Sequence, residues 1–254
     1  IPASGLTQAR AMGFSPDGAY LYVAGEDAAS IEHLEVFQRH AGGGDLTFSA
    51  DYINHTGVID GMGDAAAVVV SPDGQHLYVS GTADDGIAVF SRDADSGALT
   101  FIEAVKNGAD GVSGLKQPGQ LVLSGDGRHV YVSGSASDSI VVFARDAATG
   151  KLSFIQALAN NQPDDLGTTV TGLDGVYGIA VSPEGSQVYA TGTIDQALVV
   201  LRRDPVTGRL SFAEKLQNSP PGVDGLGKVL DVAVSPDGQN LYTADADPGT
   251  DPSK

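Results

Sequence analysis

Five copies of one short phrase divide the chain: Ser15-Pro16-Asp17-Gly18, Ser71-Pro72-Asp73-Gly74, Ser124-Gly125-Asp126-Gly127, Ser182-Pro183-Glu184-Gly185 and Ser235-Pro236-Asp237-Gly238. A β-branched run such as Ala67-Val68-Val69-Val70 enters the phrase, and a second apolar run such as Leu77-Tyr78-Val79 leaves it. Proline presets φ at the first central position, the aspartate bonds its own backbone, and glycine accepts a positive φ. The phrase therefore predicts a β-hairpin, repeated along the chain.

The turn serines stand at 15, 71, 124, 182 and 235, so the steps are 56, 53, 58 and 53 residues. The underlying period is 53, with three extra residues between Gly25 and Leu34 and five near Asn160 to Thr169. Each period holds four strand signals; in the second they are Ala67–Ser71, His76–Ser80, Gly86–Ser91 and Ala98–Val105. Between the third and fourth lies Arg92-Asp93-Ala94-Asp95-Ser96-Gly97, echoed from Arg145 to Gly150 and from Arg203 to Gly208, a turn closed by a left-handed glycine. The inner strands are apolar on both faces, which suits sheets covered on both sides. No long stretch carries apolar residues at helical spacing. Four-stranded antiparallel sheets repeated in this way are the blades of an all-β propeller, with about four and a half repeats here. The blades are predicted at 10–53, 65–105, 119–158 and 177–216, with a partial one at 229–245 and an acidic tail at 246–254.

Composition narrows the function classes. A formal charge of −18 argues against nucleic acid and against anionic membrane surfaces, both of which need clustered Lys and Arg. Cysteine is absent, which excludes disulfides, thiolate metal sites and thiol catalysis. No transmembrane run or signal peptide is seen, yet the chain starts at Ile1, so a processed or excised piece of a longer precursor is expected.

The phrases Ser-Pro-Asp-Gly-x-x-Leu-Tyr-Val-Ser-Gly (71–81) and Val-Phe-x-Arg-Asp-x-x-Thr-Gly-x-Leu-x-Phe (142–154) resemble those of the lactonase-like, YVTN-type bacterial β-propellers. The resemblance spans nearly the whole chain and rests on blade punctuation, with no stretch matching a catalytic motif. It implies a seven-bladed ring, with the remaining blades supplied by further sequence or by another chain. It also implies an extracellular, cell-surface or periplasmic protein, since the family holds sugar-lactone hydrolases, a muconate cyclase and many surface or periplasmic proteins without known activity.

Sites belong where repeats differ. The recurring Arg92-Asp93 pairs are assigned to turn structure, and Tyr22, Tyr78, Tyr131, Tyr189 and Tyr242 to packing between blades. On the first strand of each blade, which lines a propeller's channel, Arg10, Gln120, Tyr177 and Asp231 depart from the repeat, with Lys116 and Lys228 just above them. An Arg, a Tyr and a carboxylate around one shaft can move a proton, and Lys116, Gln120 and Lys228 can bind an anionic ligand. His33, in the blade-one insertion beside Glu32, is the best lone histidine for proton transfer or metal contact. His76 and His129 are placed on the surface, and His40 and His55 show no partner in the sequence. The Asp-Gly pairs at Asp60, Asp110, Asp174 and Asp224 fit Ca²⁺ coordination, although ordinary Asp-Gly turn chemistry is the favoured explanation. No cofactor is required.

The uniform blades lead to the expectation of a non-catalytic binding or scaffold module, presenting its acidic loop face to a protein or small-molecule ligand. The alternative is a lactone hydrolase or lactonising cyclase working at the channel mouth. Neither nucleic acid nor membrane insertion is expected.

Overall fold

A computed structural model describes residues 6–217 and 225–246. Blade one contains β1 (Gln8–Phe14), β2 (Tyr20–Glu26), β3 (Glu32–Arg39) and β4 (Leu46–Ile53). Blade two contains β5 (Ala65–Val70), β6 (His76–Gly81), β7 (Gly86–Arg92) and β8 (Leu99–Lys106). Blade three contains β9 (Pro118–Leu123), β10 (His129–Gly134), β11 (Ser139–Arg145) and β12 (Leu152–Ala159). Blade four contains β13 (Val176–Val181), β14 (Gln187–Gly192), β15 (Ala197–Arg203) and β16 (Leu210–Gln217), and β17 (Val229–Val234) with β18 (Leu241–Asp245) form a two-stranded fifth sheet. All pairings are antiparallel between consecutive strands. The protein is thus the expected all-β propeller architecture, as a partial ring.

The repeated phrase builds its hairpin as its chemistry dictates. Ser71 Oγ donates to Asp73 Oδ1 at 2.5 Å and accepts from His76 N at 3.0 Å, while Gly74 sits at φ 72° and donates to Ser71 O. Glycine is needed for a different reason at the other end of the second strand. A Cβ at Gly134 would overlap the carbonyl oxygen of Gly114, and one at Gly192 the carbonyl of Gly172. The loop joining one blade to the next lies flat on that spot.

Blades stack through apolar faces and through a buried polar clamp. Between blades one and two, Tyr22, Leu34 and Val36 meet Val68, Leu77, Val79 and Phe90, and the same layer recurs at the next two junctions. At the blade two–three junction, Arg145 donates to Tyr78 Oη (2.9 Å), Gly127 O (3.0 Å), Asp73 Oδ2 (2.7 Å) and His76 Nδ1 (2.7 Å), and Tyr78 Oη donates to Gly150 O. Arg92 with Tyr22, and Arg203 with Tyr131, repeat the arrangement. The recurring tyrosines therefore pack between blades at these three junctions. The arginines, in contrast, do not serve their own turn. Asp93 does that by capping Ser96, while each arginine reaches into the preceding blade.

Two histidines correct the sequence expectation. His76 and His129 are buried, because the residue that follows the turn faces the neighbouring blade's arginine. Burial, and after it the Arg145 charge, hold His76 below the usual imidazole range, so its Nδ1 stays free to accept from the guanidinium.

A second latch joins the outer strands. Leu99 N, Leu152 N and Leu210 N donate to Tyr52 Oη, Glu103 Oε1 and Gln156 Oε1 of the preceding blade, at 2.7, 3.0 and 2.9 Å. The five-residue insertion works similarly. Asp164 accepts Leu166 N and Thr168 N from its own loop and Phe212 N from β16, and Asp165 pairs with Arg209 at 2.6 Å. The loop thus covers an outer edge strand that otherwise presents unpaired amides.

Candidate functional site

The innermost strands β1, β5, β9, β13 and β17 line one channel, with Ala11, Ala67, Gln120, Ile179 and Asp231 on its wall. Each is bulged near its upper end. The pairing skips Arg10 in β1, Ala66 in β5, Gly119 and Gln120 in β9, Tyr177 and Gly178 in β13, and Leu230 in β17. A bulge leaves a residue outside the ladder and re-aims its side chain, a device common beside active sites. The same backbone irregularity thus recurs in every blade while the residue it presents changes.

Three of the sequence candidates come together on this wall. Gln120 Nε2 donates to Asp231 Oδ1 at 2.8 Å, and Gln120 Oε1 accepts Ile179 N at 2.8 Å, so one amide links blades three, four and five. Asp231 Oδ1 also accepts Val232 N at 2.8 Å, which leaves Oδ2 with no hydrogen bond among the described residues. The Tyr177 ring lies over Gly119, where a Cβ would stand 3.2 Å from it, and its carbonyl accepts Ser133 Oγ at 2.7 Å. Its side chain remains partly exposed at the mouth.

The other candidates are placed differently. Arg10 is bracketed by Asp64 at 2.7 Å and Glu26 at 3.3 Å, which tie the top of blade one to blade two. Lys116 and Lys228 sit in the loops entering β9 and β17 and are held through their backbones, by Ser137 Oγ and Asp245 Oδ1 on Lys116 N and Lys228 N. His33 lies away from the channel, on the third strand out. It is 5% exposed, with Nδ1 2.9 Å from Asp51 and Nε2 3.5 Å from Asp27. Where His33 pairs with Gly25, the other blades place Gly86, Ser139 and Ala197 opposite Gly81, Gly134 and Gly192.

The Asp-Gly aspartates do not converge. Asp60, Asp110 and Asp174 occupy three successive blade-to-blade loops, and Asp224 lies outside the described residues. Burial, with the neighbouring Asp138 and Asp195 charges, pushes the Asp174 carboxyl up. Asp60 instead meets His55 and Asp84, a partner set invisible in sequence because Asp84 comes from the next blade. His40 bonds Thr47 Oγ1.

A family model described as "Lactonase, 7-bladed beta-propeller" matches residues 4–165. The chain belongs to this lactonase propeller family. A 6-phosphogluconolactonase of Formosa agariphila is 31% identical over 141 residues, covering 55% of this chain and 36% of that protein. One from Klebsiella pneumoniae is 23% identical over 226 residues, covering 74% of this chain and 66% of its own length. The solved periplasmic gluconolactonase PpgL of Pseudomonas aeruginosa superposes with a TM-score of 0.69 at 23% identity, covering 94% of this chain and 63% of that one. The chain therefore spans from about a third to about two thirds of the length of these relatives.

These relatives overturn the expectation of a non-catalytic scaffold and favour the lactone-hydrolase alternative. The inference from uniform blades failed for a physical reason. Uniformity here reflects the Tyr–Arg clamp and the close-packed glycines, which three successive junctions share whatever chemistry the channel performs.

Proposed function

We propose that the chain is part of a lactone hydrolase that opens aldonolactones of the gluconolactone type at the upper mouth of the channel. The observation that carries it is the Gln120–Asp231 pair on the bulged channel wall, in a chain whose curated relatives are named for lactone opening. In this scheme Asp231 Oδ2 takes a proton from water as its oxygen bonds to the lactone carbonyl carbon. Gln120 fixes the carboxylate through Oδ1, and Tyr177, with Lys116 and Lys228 from the loops entering β9 and β17, is assigned to meet the developing oxyanion. Collapse breaks the ring C–O bond, and the proton held by Asp231 passes to the leaving oxygen. The hydroxy acid formed is an anion, and the chain's net charge of −18 favours its departure.

A pH-stat assay with D-glucono-δ-lactone and its 6-phosphate tests this reading, because ring opening releases a proton. Saturable opening of at least one of the two above the spontaneous rate is expected. Rates indistinguishable from buffer for both at micromolar protein would refute it.

A further inference from the structure

We propose that the upper corner between blades one and two is a divalent-metal site, with His55 Nε2, Asp60 Oδ1 and Asp84 Oδ1 as ligands and a zinc-like ion as occupant. The three ligand atoms lie within 4.8 Å of one another, and His55 Nε2 is 3.2 Å from each carboxylate oxygen. Ligands bound at zinc distances in a tetrahedron stand roughly 3.3 Å apart, so these edges already have the right length.

The Asp84 carboxylate is held in place by the same two kinds of bond that the blade gives Asp195, from an asparagine and a loop amide. Asp84 Oδ2 accepts Asn54 Nδ2 at 3.0 Å and Gly63 N at 2.7 Å, which turns Oδ1 toward His55. Outer hydrogen bonds of this kind orient metal-binding carboxylates. A cationic group is drawn to the same oxygens: Lys106 Nζ stands 2.9 Å from Asp60 Oδ1 and 3.7 Å from Asp84 Oδ1. The corner opens onto a cavity of about 380 Å³ lined by Glu32, Asn54, His55, Asp64 and Asp84. In that wall, Glu32 Oε2 is buried and has no hydrogen-bond partner.

The repeat supplies an independent comparison. At the blade two–three corner, the positions of His55, Asp60, Asp84 and Lys106 hold Gly108, Ser113, Ser137 and Ala159; at the next corner they hold Asn161, Thr171, Asp195 and Gln217. Asn54 has counterparts in Asn107 and Asn160, whose Oδ1 atoms accept Leu115 N and Leu173 N, so that residue belongs to the blade. The histidine and Asp60 therefore depart from the blade pattern at one corner. An imidazole nitrogen with two carboxylate oxygens suits a borderline ion, whereas Ca²⁺ needs six to eight oxygens. Such an ion would join the exit loop of blade one to the β6–β7 loop of blade two.

Titration calorimetry of the tag-free chain with ZnCl₂, and separately with CaCl₂, tests the proposal. The wild type is expected to bind one Zn²⁺ and to give no saturable heat with Ca²⁺. His55→Ala should weaken Zn²⁺ binding about tenfold or more, comparable to losses from perturbing a metal's supporting shell. Lys106→Met, which removes the competing ammonium, should tighten it by about tenfold, equivalent to about 1.4 kcal/mol. Unchanged affinity in His55→Ala, or no Zn²⁺ binding even in Lys106→Met, would overturn the assignment. His55 is exposed on the surface, so its loss leaves the fold intact, and circular dichroism checks this.

Discussion

Arg145→Ala is expected to lower the unfolding free energy by about 3–5 kcal/mol, the range for removing one partner of a buried charge network. The side chain is 1% exposed and donates to groups on both sides of the blade two–three junction. Its removal strands His76 Nδ1 and the Gly127 carbonyl, and each buried acceptor left unpaired costs about 1–3 kcal/mol. Arg39 offers the control. It holds the same position in blade one but is exposed, and among the described residues its side chain's sole hydrogen bond is a 3.5 Å contact to Gly18 O, so Arg39→Ala should shift stability by no more than about 0.5 kcal/mol. Urea unfolding at pH 7 distinguishes the two variants.

The clamp also fixes the sign of the alkaline response. Burial pushes the Tyr22, Tyr78 and Tyr131 hydroxyls up to about 12, against the lowering effect of the facing guanidinium groups. The folded state holds protons that the unfolded chain releases near pH 10. This contribution is therefore complete below pH 10 and is lost as pH rises toward 12, at up to about 1.4 kcal/mol per pH unit for each tyrosine.

Asp231→Asn is expected to reduce kcat/KM for lactone opening by about 10²- to 10⁴-fold, the usual contribution of a positioned general base. The substitution keeps the shape of the side chain and an acceptor for Val232 N, so thermal stability should change little. A parallel loss of Tm and activity would mean that Asp231 serves the channel wall alone. Preserved activity at unchanged Tm would remove it from the chemistry.

The blades were legible because the Ser-Pro-Asp-Gly phrase and the apolar runs around it act locally, within one hairpin. The bulges that present Arg10, Gln120 and Tyr177 were not, since a bulge is defined by the partner strand's register rather than by its own residues. Departures from the repeat nevertheless point to Gln120 and Asp231, which the fold brings together on the channel wall, because residues free of packing duty are those that vary between repeats. The outer latch escaped notice for the opposite reason: Tyr52, Glu103 and Gln156 share a task but no side-chain chemistry. His76 and His129 were misplaced because their guanidinium partners lie about seventy residues away, in the following blade. His55 likewise acquires its partners only when two blades meet.

The most direct test of a lactone site at the channel mouth is a crystal structure of the chain with D-glucono-δ-lactam, an analogue whose ring amide resists opening. The analogue is expected between Tyr177 and the Gln120–Asp231 pair, with its carbonyl carbon one water molecule from Asp231 Oδ2. Lactam bound instead in the rim groove beside Asp165 and Arg209, with the mouth empty at saturating concentration, would contradict it.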